Sequence, residues 1–523
     1  MKISVSSQGK PERKILQLEK KVKELQEKNR AKSKEITKFK KEIKTLKVSR
    51  ANWKSRNASK VKKMKSLTKQ LKSKDKVKRH HFSLFIITLC IQLRVQTGCS
   101  YRGICKILKV LTQNKLLEIK RIPCANSIEN WVSKTGHYCI ENVSQNLGAK
   151  EYCLVVDESM SQGNERTLLM LLTPLQRQKE EALTFEDVQI CYLGGKTSWT
   201  GEKIKKEVEK IMEQKGIEIK MILSDEDSKL LKAGRLLALD HLPDINHAIA
   251  NCLKKTFEKQ EDYKALIKQI SAYQYKSVNQ KLSYLRPPKQ RVKARFMNQK
   301  GVVKWGETMI EKFDELNEKE QAFFSKLPEH EPMLKMLGKC IDLAEEIVKL
   351  LKTKGLSIET IKQVEQILFK EWFLAMGFIP ITGLIESSHL DYLEPQSGTS
   401  ISGMISRCED PKDLFGQFLK HLKIYIDKYK EFVTTKEEAY NVSSDIIESF
   451  FGKYKSIKAS NQLVGITQID LELPVYSIPS DQITDMTKVA LEATFVSDLR
   501  KFIDNHSSDN QAVRRAKFFK NGT

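Results

Sequence analysis

The chain has 523 residues, a formal net charge of +27 and enough apolar residues, 40%, for most of it to fold. This length exceeds what one hydrophobic core organises, so two to four domains are expected. The ten cysteines form no CxxC pair, and the longest apolar run, at 83–93, is too short to cross a bilayer. With no recognisable signal sequence, these features argue against a secreted disulfide scaffold and a membrane protein, and predict a cytoplasmic one, nucleoid-associated in a bacterial host.

Most of the positive charge lies at the start of the chain. Residues 1–80 hold 29 Lys and Arg against seven Asp and Glu, so this segment carries +22 and the remainder about +5. From residue 12 to about 74, apolar residues recur at alternating spacings of three and four. Asn29 and Asn57 fall at position a of this heptad repeat, which predicts a two-stranded coiled coil. A solvated, monomeric basic helix is the alternative. Either form would attract a polyanion, with nucleic acid ahead of an anionic membrane surface.

The next segment, 81–145, has the pattern of a small helical module. One helix ends near Gly98, a second begins after Ser100, and a third, from Ile122, is predicted to close at Gly136. Short helices joined by turns are typical of a helix-turn-helix that binds DNA; a plain helical linker domain is the alternative. On the open side of the last helix, the predicted DNA-contacting residues are Asn126, Ser127, Asn130 and Lys134.

From residue 150 the pattern becomes that of a mixed α/β sheet, and after about 250 it is almost purely helical until 440. Three apolar strands, one helix closed by Gly216, a further strand and a short extended piece follow one another. The predicted strands cover 151–157, 166–175, 185–195 and 217–225, the helix covers 200–216, and the extended piece lies within 241–248.

Three carboxylates stand out against this pattern. Asp157 and Asp225 each end an apolar strand, and Glu448 lies at the edge of an amphipathic helix in "DIIESFFGKYK". Acids brought together at a sheet edge repel each other unless a cation lies between them, and hard divalent ions prefer such ligands. Three carboxylates could hold the two ions of a phosphoryl-transfer site. Two neighbouring acids compete for the role: Asp445 is the rival for the third position, whereas Asp227 is expected to start the next helix.

These residues resemble the acidic triad of the DDE transposases, which have an RNase H-like core. The strand order before Asp225 and the 223 residues that separate it from Glu448 are similar to that core and its long insertion. Asp244 and His247 resemble a D-x-x-H signature, and Lys455 resembles a lysine that follows the catalytic Glu. The resemblance implies two Mg²⁺ ions, for which Mn²⁺ would substitute, DNA cleavage and strand transfer, double-stranded transposon ends and target DNA as partners, and a homodimer formed through the coiled coil.

The helical insertion offers further positions for DNA. "PPKQRVKARF" would suit a strip that binds phosphates through Arg291, Lys293 and Arg295, although a solvated loop has the same composition. Trp305 could stack on a flipped base, as insertion-domain aromatics do in some transposases, or be an ordinary core tryptophan.

The expected fold is therefore an α/β RNase H-like catalytic core with a large all-α insertion, preceded by a helix-turn-helix module and an N-terminal coiled coil. Two other functions remain open: a domesticated DNA-binding protein derived from a transposase, and an RNase H-like nuclease without strand transfer. The predicted parts are a basic coiled coil (1–80), the helix-turn-helix module (81–145), the first part of the core (146–255), the helical insertion (256–438), the last part of the core with Glu448 (439–500) and a basic tail (501–523).

Overall fold

The computed structural model describes nearly the whole body of the chain. The described ranges are 77–143, 147–160, 166–177, 180–279, 281–290, 296, 299–375, 413–433, 438–457 and 466–507, with scattered positions before and after them. Residues 77–79 and 87–523 form one compact unit, and residues 1–76 with 80–86 form another. Most of the predicted coiled coil and of the basic tail lies outside the described residues, as do Arg291, Lys293 and Arg295.

Three helices precede the sheet: α1 (Leu84–Thr97), α2 (Tyr101–Gln113) and α3 (Ala125–Glu141). Ser100 starts α2 as predicted, because its hydroxyl accepts a hydrogen bond from the Gly103 amide. The prediction that Gly136 ends α3 is wrong, since the helix continues for five more residues.

Gly136 has a packing role within α3 instead. A Cβ atom at this position would stand 1.6 Å from the Leu471 carbonyl oxygen, so only glycine allows the backbone of a later segment to approach. Sequence alone cannot separate this role from that of a helix stop, because glycine suits both.

The central sheet has five strands in the order β3-β2-β1-β4-β5. The first three strands are antiparallel neighbours, whereas β4 and β5 run parallel to β1. The mixed sheet and the helix between the third and fourth strands agree with the predicted order. The strands are β1 (Glu151–Met160), β2 (Arg166–Pro174), β3 (Gln189–Lys196), β4 (Glu218–Ser224) and β5 (Asp240–Pro243), with α4 (Gly201–Lys215) between β3 and β4.

Both faces of the sheet are buried, which explains why β1 reads as a continuous apolar run. Cys153 and Val155 face one core, and Tyr152, Leu154 and Val156 face the other. The second face is covered by α4 and by α5 (Ser228–Leu237), whose buried residues join the same cluster. Gly216 closes α4 as predicted, in the left-handed conformation.

The first face is covered by helices from the rest of the chain. They begin with α6 (Ile245–Phe257) and α7 (Glu261–Asn279) and continue into the predicted helical region. Apolar residues of this region and of the sheet belong to one continuous core. The later helices are α8 (Gln299–Glu311), α9 (Glu318–Phe324), α10 (Glu331–Lys354), α11 (Ile358–Ala375), α12 (Leu414–Phe432) and α13 (Asp445–Ile457).

The last described part of the chain returns to the first helices. A 3₁₀ segment, Gln468–Ser477, packs along α3 and is followed by α14 (Ile483–Ala493) and α15 (Val496–His506). Glu472 of this segment is fully buried and accepts hydrogen bonds from Arg94 (2.7 Å) and the Tyr101 hydroxyl (2.8 Å). The 3₁₀ segment therefore ties α1 and α2 to the body that contains the sheet.

No helix in the described part of the chain is long and apolar enough to cross a bilayer. Among the nine cysteines within that part, all are free thiols, and six of them are buried.

Candidate active site

Side chains along β1 point alternately to the two faces of the sheet, and this alternation determines the face on which Asp157 lies. It continues the series Cys153, Val155 and therefore lies on the face covered by α13. The expectation that Asp157 ends its strand is corrected, because β1 continues to Met160 in partnership with β2. Parallel pairing with β4 stops earlier, at Val155 opposite Leu223, so Asp157 emerges where β1 loses that neighbour.

Asp225 directly follows β4, as the sequence predicts, and is equivalent in register to Asp157. Its Oδ1 atom accepts the Asp227 amide at 3.1 Å, which turns the chain away from the sheet. Asp227 then caps α5 by accepting the Lys229 amide at 2.9 Å. The two strands thus place Asp157 and Asp225 side by side at one sheet edge, and Asp227 has the helix-starting role expected of it.

The electrostatics of the pair reflect this proximity. Burial, and after it the neighbouring Asp225 carboxylate, raise the pKa of Asp157 to about 6, with a smaller contribution from Glu448. Burial also raises the pKa of Asp225. His247 opposes both shifts, so it lies close enough to interact with each carboxyl. The site therefore holds two carboxylates whose negative charge is incompletely compensated by the protein.

Glu448 is held over this edge by the apolar face of α13. Ile447 and Phe450 are fully buried, and the Phe450 ring meets Phe185 edge-on with centroids 4.7 Å apart. Further along, the Tyr454 hydroxyl lies 3.4 Å from the Thr167 hydroxyl of β2. Glu448 itself is exposed, which leaves its carboxylate available to a ligand.

Asp445, the rival for the third position, is engaged elsewhere. Its carboxylate pairs with Lys352 of α10 and accepts a hydrogen bond from the Asn246 amide group. Because Lys352 and Asn246 engage the Asp445 carboxylate whereas Glu448 interacts with Asp157, the arrangement favours Glu448 over Asp445 at this edge.

A cavity of about 440 Å³ lies between α6, α8, α10 and α13 and reaches Glu448. Lys300 and Lys352 line it, and each is paired with an acid of the same wall, Glu345 and Asp445 respectively. The helical region therefore contributes a charged wall beside the third carboxylate.

The donor set is suited to hard divalent cations. Within the described ranges, no three His, Cys, Asp or Glu side chains are grouped closely enough to hold a single metal ion together. A two-ion site does not require such a group, because each ion takes one or two carboxylates while water and phosphate oxygens fill its other positions. Three carboxylates, two of them with raised pKa values, fit Mg²⁺ on their chemistry.

The predicted supporting residues lie at different distances from this edge. Asp244 follows β5 and is almost fully buried, and its Oδ1 atom caps α6 through the His247 amide (2.9 Å). His247 is half-buried near the carboxyls of Asp157 and Asp225. Lys455 is exposed, two turns after Glu448 on α13, so it lies on the same side of the helix.

Sequence reasoning missed the residue that follows Asp225. Glu226 accepts hydrogen bonds from the Tyr425 hydroxyl (2.5 Å) and from the Asn251 amide group (3.1 Å), and it pairs with Lys428 at 3.3 Å. Although burial opposes the shift, these partners lower its pKa. Glu226 thereby joins the end of β4 to α6 and α12. Its partners come from distant segments, so no local pattern could have indicated it.

Glu158 was also missed, and it lies on the opposite face of β1 from Asp157. It forms ion pairs with Arg166 (2.8 Å) and with Lys229 of α5 (2.9 Å). The sequence could have predicted this position, because adjacent residues of a strand face opposite sides of a sheet. Adjacent acids on β1 thus serve different sides of the molecule.

The predicted DNA-contacting residues of α3 are placed in mixed surroundings. Asn126 is exposed, whereas Ser127, Asn130 and Lys134 are half-buried. The Gln468 side chain donates a hydrogen bond to Asn130 at 2.6 Å, so this part of the predicted open side faces the 3₁₀ segment. The helix-turn-helix remains a prediction, with Asn126 as its most accessible residue.

Trp305 belongs to an aromatic cluster within the helical region. Its indole N–H donates to the Leu285 carbonyl at 3.0 Å, and its ring contacts Tyr273 and Phe324. Tyr273 in turn lines a cavity of about 930 Å³ whose wall also carries Tyr284 and four lysines. The contacts of Trp305 are those of a packed tryptophan, the alternative that the sequence left open.

Replacement of Trp305 by Ala is expected to destabilise the protein by about 2–3 kcal/mol, less than a fully buried tryptophan because its ring is half-buried. Urea unfolding would measure the loss, with Tyr284→Ala as the control, since that ring is 70% exposed. Unchanged stability combined with weaker binding to DNA would instead assign Trp305 to base stacking.

No protein-family model matches this chain, and no curated protein sequence matches it. Among solved structures, the chain is similar to the Drosophila P element transposase strand transfer complex. The two share 12% sequence identity with a TM-score of 0.36, over 80% of this chain and 94% of that one. A likeness of this degree supports no conclusion about function.

Proposed function

We propose that this protein is a DDE-type DNA transposase that cleaves DNA and transfers a strand at an RNase H-like site. The observation that carries the proposal is the meeting of Asp157 and Asp225 at one edge of the mixed sheet, with α13 holding Glu448 over the same face. The strand order and the helix after the third strand support an RNase H-like core.

The chain's own residues would bind and orient the reacting groups. Asp157 and Asp225 hold concentrated negative charge at the sheet edge, and Glu448 faces the approaching DNA. Two divalent ions bound by these carboxylates would supply Lewis acidity to the attacking and leaving oxygens of a phosphodiester. Lys455 would place positive charge beside the site, the His247 imidazole would lie next to the two aspartates, and no covalent protein–DNA intermediate is required.

Both steps of the proposed reaction exchange the same kind of bond, between phosphorus and a 3′ oxygen. In cleavage, a water oxygen forms the new bond to phosphorus and the 3′ oxygen leaves with a proton. In strand transfer, the freed 3′-hydroxyl attacks a target phosphodiester and displaces a second 3′ oxygen. Each step exchanges one phosphorus–oxygen bond for another, so no external energy source is needed.

DNA is the proposed partner because the charge is distributed to suit it. The excess of 22 positive charges in residues 1–80 would contact phosphates, and Arg291, Lys293 and Arg295 would extend that contact in the insertion. Among the described heptad positions, Val22, Ile43, Leu46 and Trp53 are each more than half exposed. Apolar heptad positions left exposed on one chain support pairing with a second copy, which would hold two transposon ends together.

An excision assay tests the proposal. A marker flanked by the DNA that borders the gene is placed in cells, and the protein is supplied from a second plasmid. We expect excision by the wild type and at least about 10³-fold less by Glu448→Gln, since loss of a metal ligand exceeds the ~10–100-fold cost of losing an outer-shell partner. Asp445→Asn, one turn earlier on α13, is the matched control and is expected to excise normally.

Three other outcomes would redirect the assignment. Tight, salt-sensitive binding to the same DNA without excision would favour a domesticated DNA-binding protein. Cleaved products that never contain a joined 3′ end would favour a nuclease. Loss of excision in Asp445→Asn but not in Glu448→Gln would move the third carboxylate to Asp445.

A further inference from the structure

A buried carboxylate joins the two halves of the proposed active site. Asp244 is 1% exposed and accepts three hydrogen bonds. One comes from the His247 amide (2.9 Å), and the other two come from the Ser444 amide (2.6 Å) and the Ser444 hydroxyl (2.9 Å). Both oxygens of the carboxylate are therefore occupied, one by the start of α6 and the other by the residue that precedes α13.

Backbone hydrogen bonds of Asp244 and Ile245 also join the two halves of the proposed site. Its amide donates to the Ser224 carbonyl at 2.8 Å, directly before Asp225, and the next amide, of Ile245, donates to the Val442 carbonyl at 2.9 Å. Asp244 is thus bound on one side to the end of β4 and on the other to the chain that enters α13. Two hundred residues separate Asp244 from Ser444, and the helical insertion occupies most of that interval.

We propose that Asp244 is a positioning residue that sets the location of Glu448 through Ser444; this inference rests on the proposed function. Ser444 immediately precedes α13, and Glu448 follows four residues later, about 6 Å along the helix axis. A helix start held at two points, the Ser444 amide and hydroxyl, fixes both the origin and the rotation of that first turn. The third carboxylate is thereby held in a fixed relation to β4, and so to Asp225.

If Asp244 served only as the N-cap of α6, its mutation would affect stability but not the position of α13. A cap of α6 alone would use Oδ1 and the His247 amide, and it would contribute to stability without reference to α13. The Ser444 hydroxyl separates the two roles, because its removal leaves the α6 cap intact. Asp413 provides the matched comparison, because it is an N-cap aspartate that accepts the Gly416 amide at 2.8 Å at the start of α12. This cap bond lies within α12 and does not connect to α13.

The test compares Asp244→Asn, Ser444→Ala, Ser444→Thr and Asp413→Asn in the full-length protein. The readouts are the single-turnover cleavage rate on transposon-end DNA, the Kd for that DNA, and the rise in Tm caused by Mn²⁺. We expect Asp244→Asn to lower the cleavage rate about 10–100-fold with little change in Kd, and to reduce the Mn²⁺-induced rise in Tm. Its amide NH₂ would face the Ser444 donors, or the His247 donor, at a position that needs an acceptor.

Ser444→Ala should cause a smaller loss of rate, and Ser444→Thr should restore it because threonine retains the hydroxyl. Asp413→Asn keeps an acceptor for the Gly416 amide, so it should change Tm little and leave the cleavage rate and the Mn²⁺ response unchanged. Equal losses in Asp244→Asn and Asp413→Asn, or an unaffected rate in Ser444→Ala, would overturn the positioning role while leaving the enzyme in place. A wild type that neither cleaves DNA nor responds to Mn²⁺ would instead overturn the proposed function and this inference with it.

If Asp244→Asn fails to fold, the Ser444 pair decides the question alone. Loss of rate in Ser444→Ala and its recovery in Ser444→Thr support positioning, and equal rates in the two variants contradict it.

Discussion

Replacement of Asp157 by Asn is expected to abolish DNA cleavage and, at the same time, to stabilise the metal-free protein at pH 7. The carboxylate lies beside Asp225 in a largely buried position, where burial and its neighbour raise its pKa to about 6 from an ordinary value of 3.8. That shift corresponds to about 2–3 kcal/mol of destabilisation whenever the group is ionised in the folded state. The amide removes the charge and keeps the shape.

The sign of the pH dependence follows from the direction of the shift. Below pH 3.8 the Asp157 carboxyl is protonated in both the folded and unfolded states, so it contributes nothing. Between pH 3.8 and about 6 the folded protein retains the proton that the unfolded chain has released, so the free energy of unfolding falls as pH rises. Above about pH 6 the penalty is complete, and binding of Mg²⁺ should relieve it.

Urea unfolding between pH 4 and pH 8, without metal and then with Mg²⁺, measures this behaviour. Asp157→Asn should remove most of the fall in stability, leaving the part due to Asp225, and most of the gain from Mg²⁺. Its cleavage rate should drop at least about 10³-fold, beyond the ~10–100-fold of an outer-shell loss. Glu151→Gln, an exposed position on the same strand, is the control and should leave the pH profile unchanged. A less stable Asp157→Asn at pH 7 would show that the carboxylate is structural.

The largest loss of stability is expected from Glu472→Ala. Glu472 is fully buried and receives donors from Arg94, Tyr101 and Tyr476, the last at 3.0 Å. Its removal leaves the largely buried Arg94 guanidinium without its ion-pair partner, and breaking such a pair costs about 3–5 kcal/mol. The contact also ties the 3₁₀ segment to α1 and α2, so the loss should extend to the packing of the first helices.

Chemical denaturation of Glu472→Ala, Arg94→Met and the double variant Arg94→Met/Glu472→Leu would test this. The double variant should be more stable than Glu472→Ala, because no charge is then left buried alone. Asp427→Ala, which breaks an i,i+4 pair with Lys423 on the surface of α12, should cost no more than about 0.5 kcal/mol. If Glu472→Ala and Asp427→Ala lowered the free energy of unfolding by similar amounts, the buried pair would stabilise the protein no more than a surface pair does.

The sequence was sufficient to predict a mixed sheet and the order of its strands and helix along the chain. Apolar runs bounded by turns mark the strands, and Asp225 was expected directly after β4, where it lies. The extension of β1 beyond Asp157 was missed because Glu158 and Ser159 are polar, although antiparallel pairing with β2 continues there. Polar residues in the sequence suggest that a strand ends, but its actual end depends on how far the neighbouring strand continues to pair with it.

The parts of the site that could not be predicted depend on distant partners. The role of Asp244 requires knowing that Ser444 returns to it, and the role of Glu226 requires Tyr425 of a helix about 200 residues later. Gly136 was misread because a close approach by another segment and a helix stop both call for glycine. Periodicity reports which face of an element is apolar, but it does not identify the element that covers that face.

The order of the carboxylates along the chain has a consequence for biosynthesis. Asp157 and Asp225 emerge early, whereas Glu448 and the buried face of α13, with Ile447 and Phe450, are made only after the insertion. A nascent or truncated chain that stops within the insertion would hold two carboxylates, lack the third, and leave the part of its sheet that α13 covers exposed and prone to aggregation. The proposed DNA cleavage would therefore begin only near the completion of translation, so incomplete products would lack it.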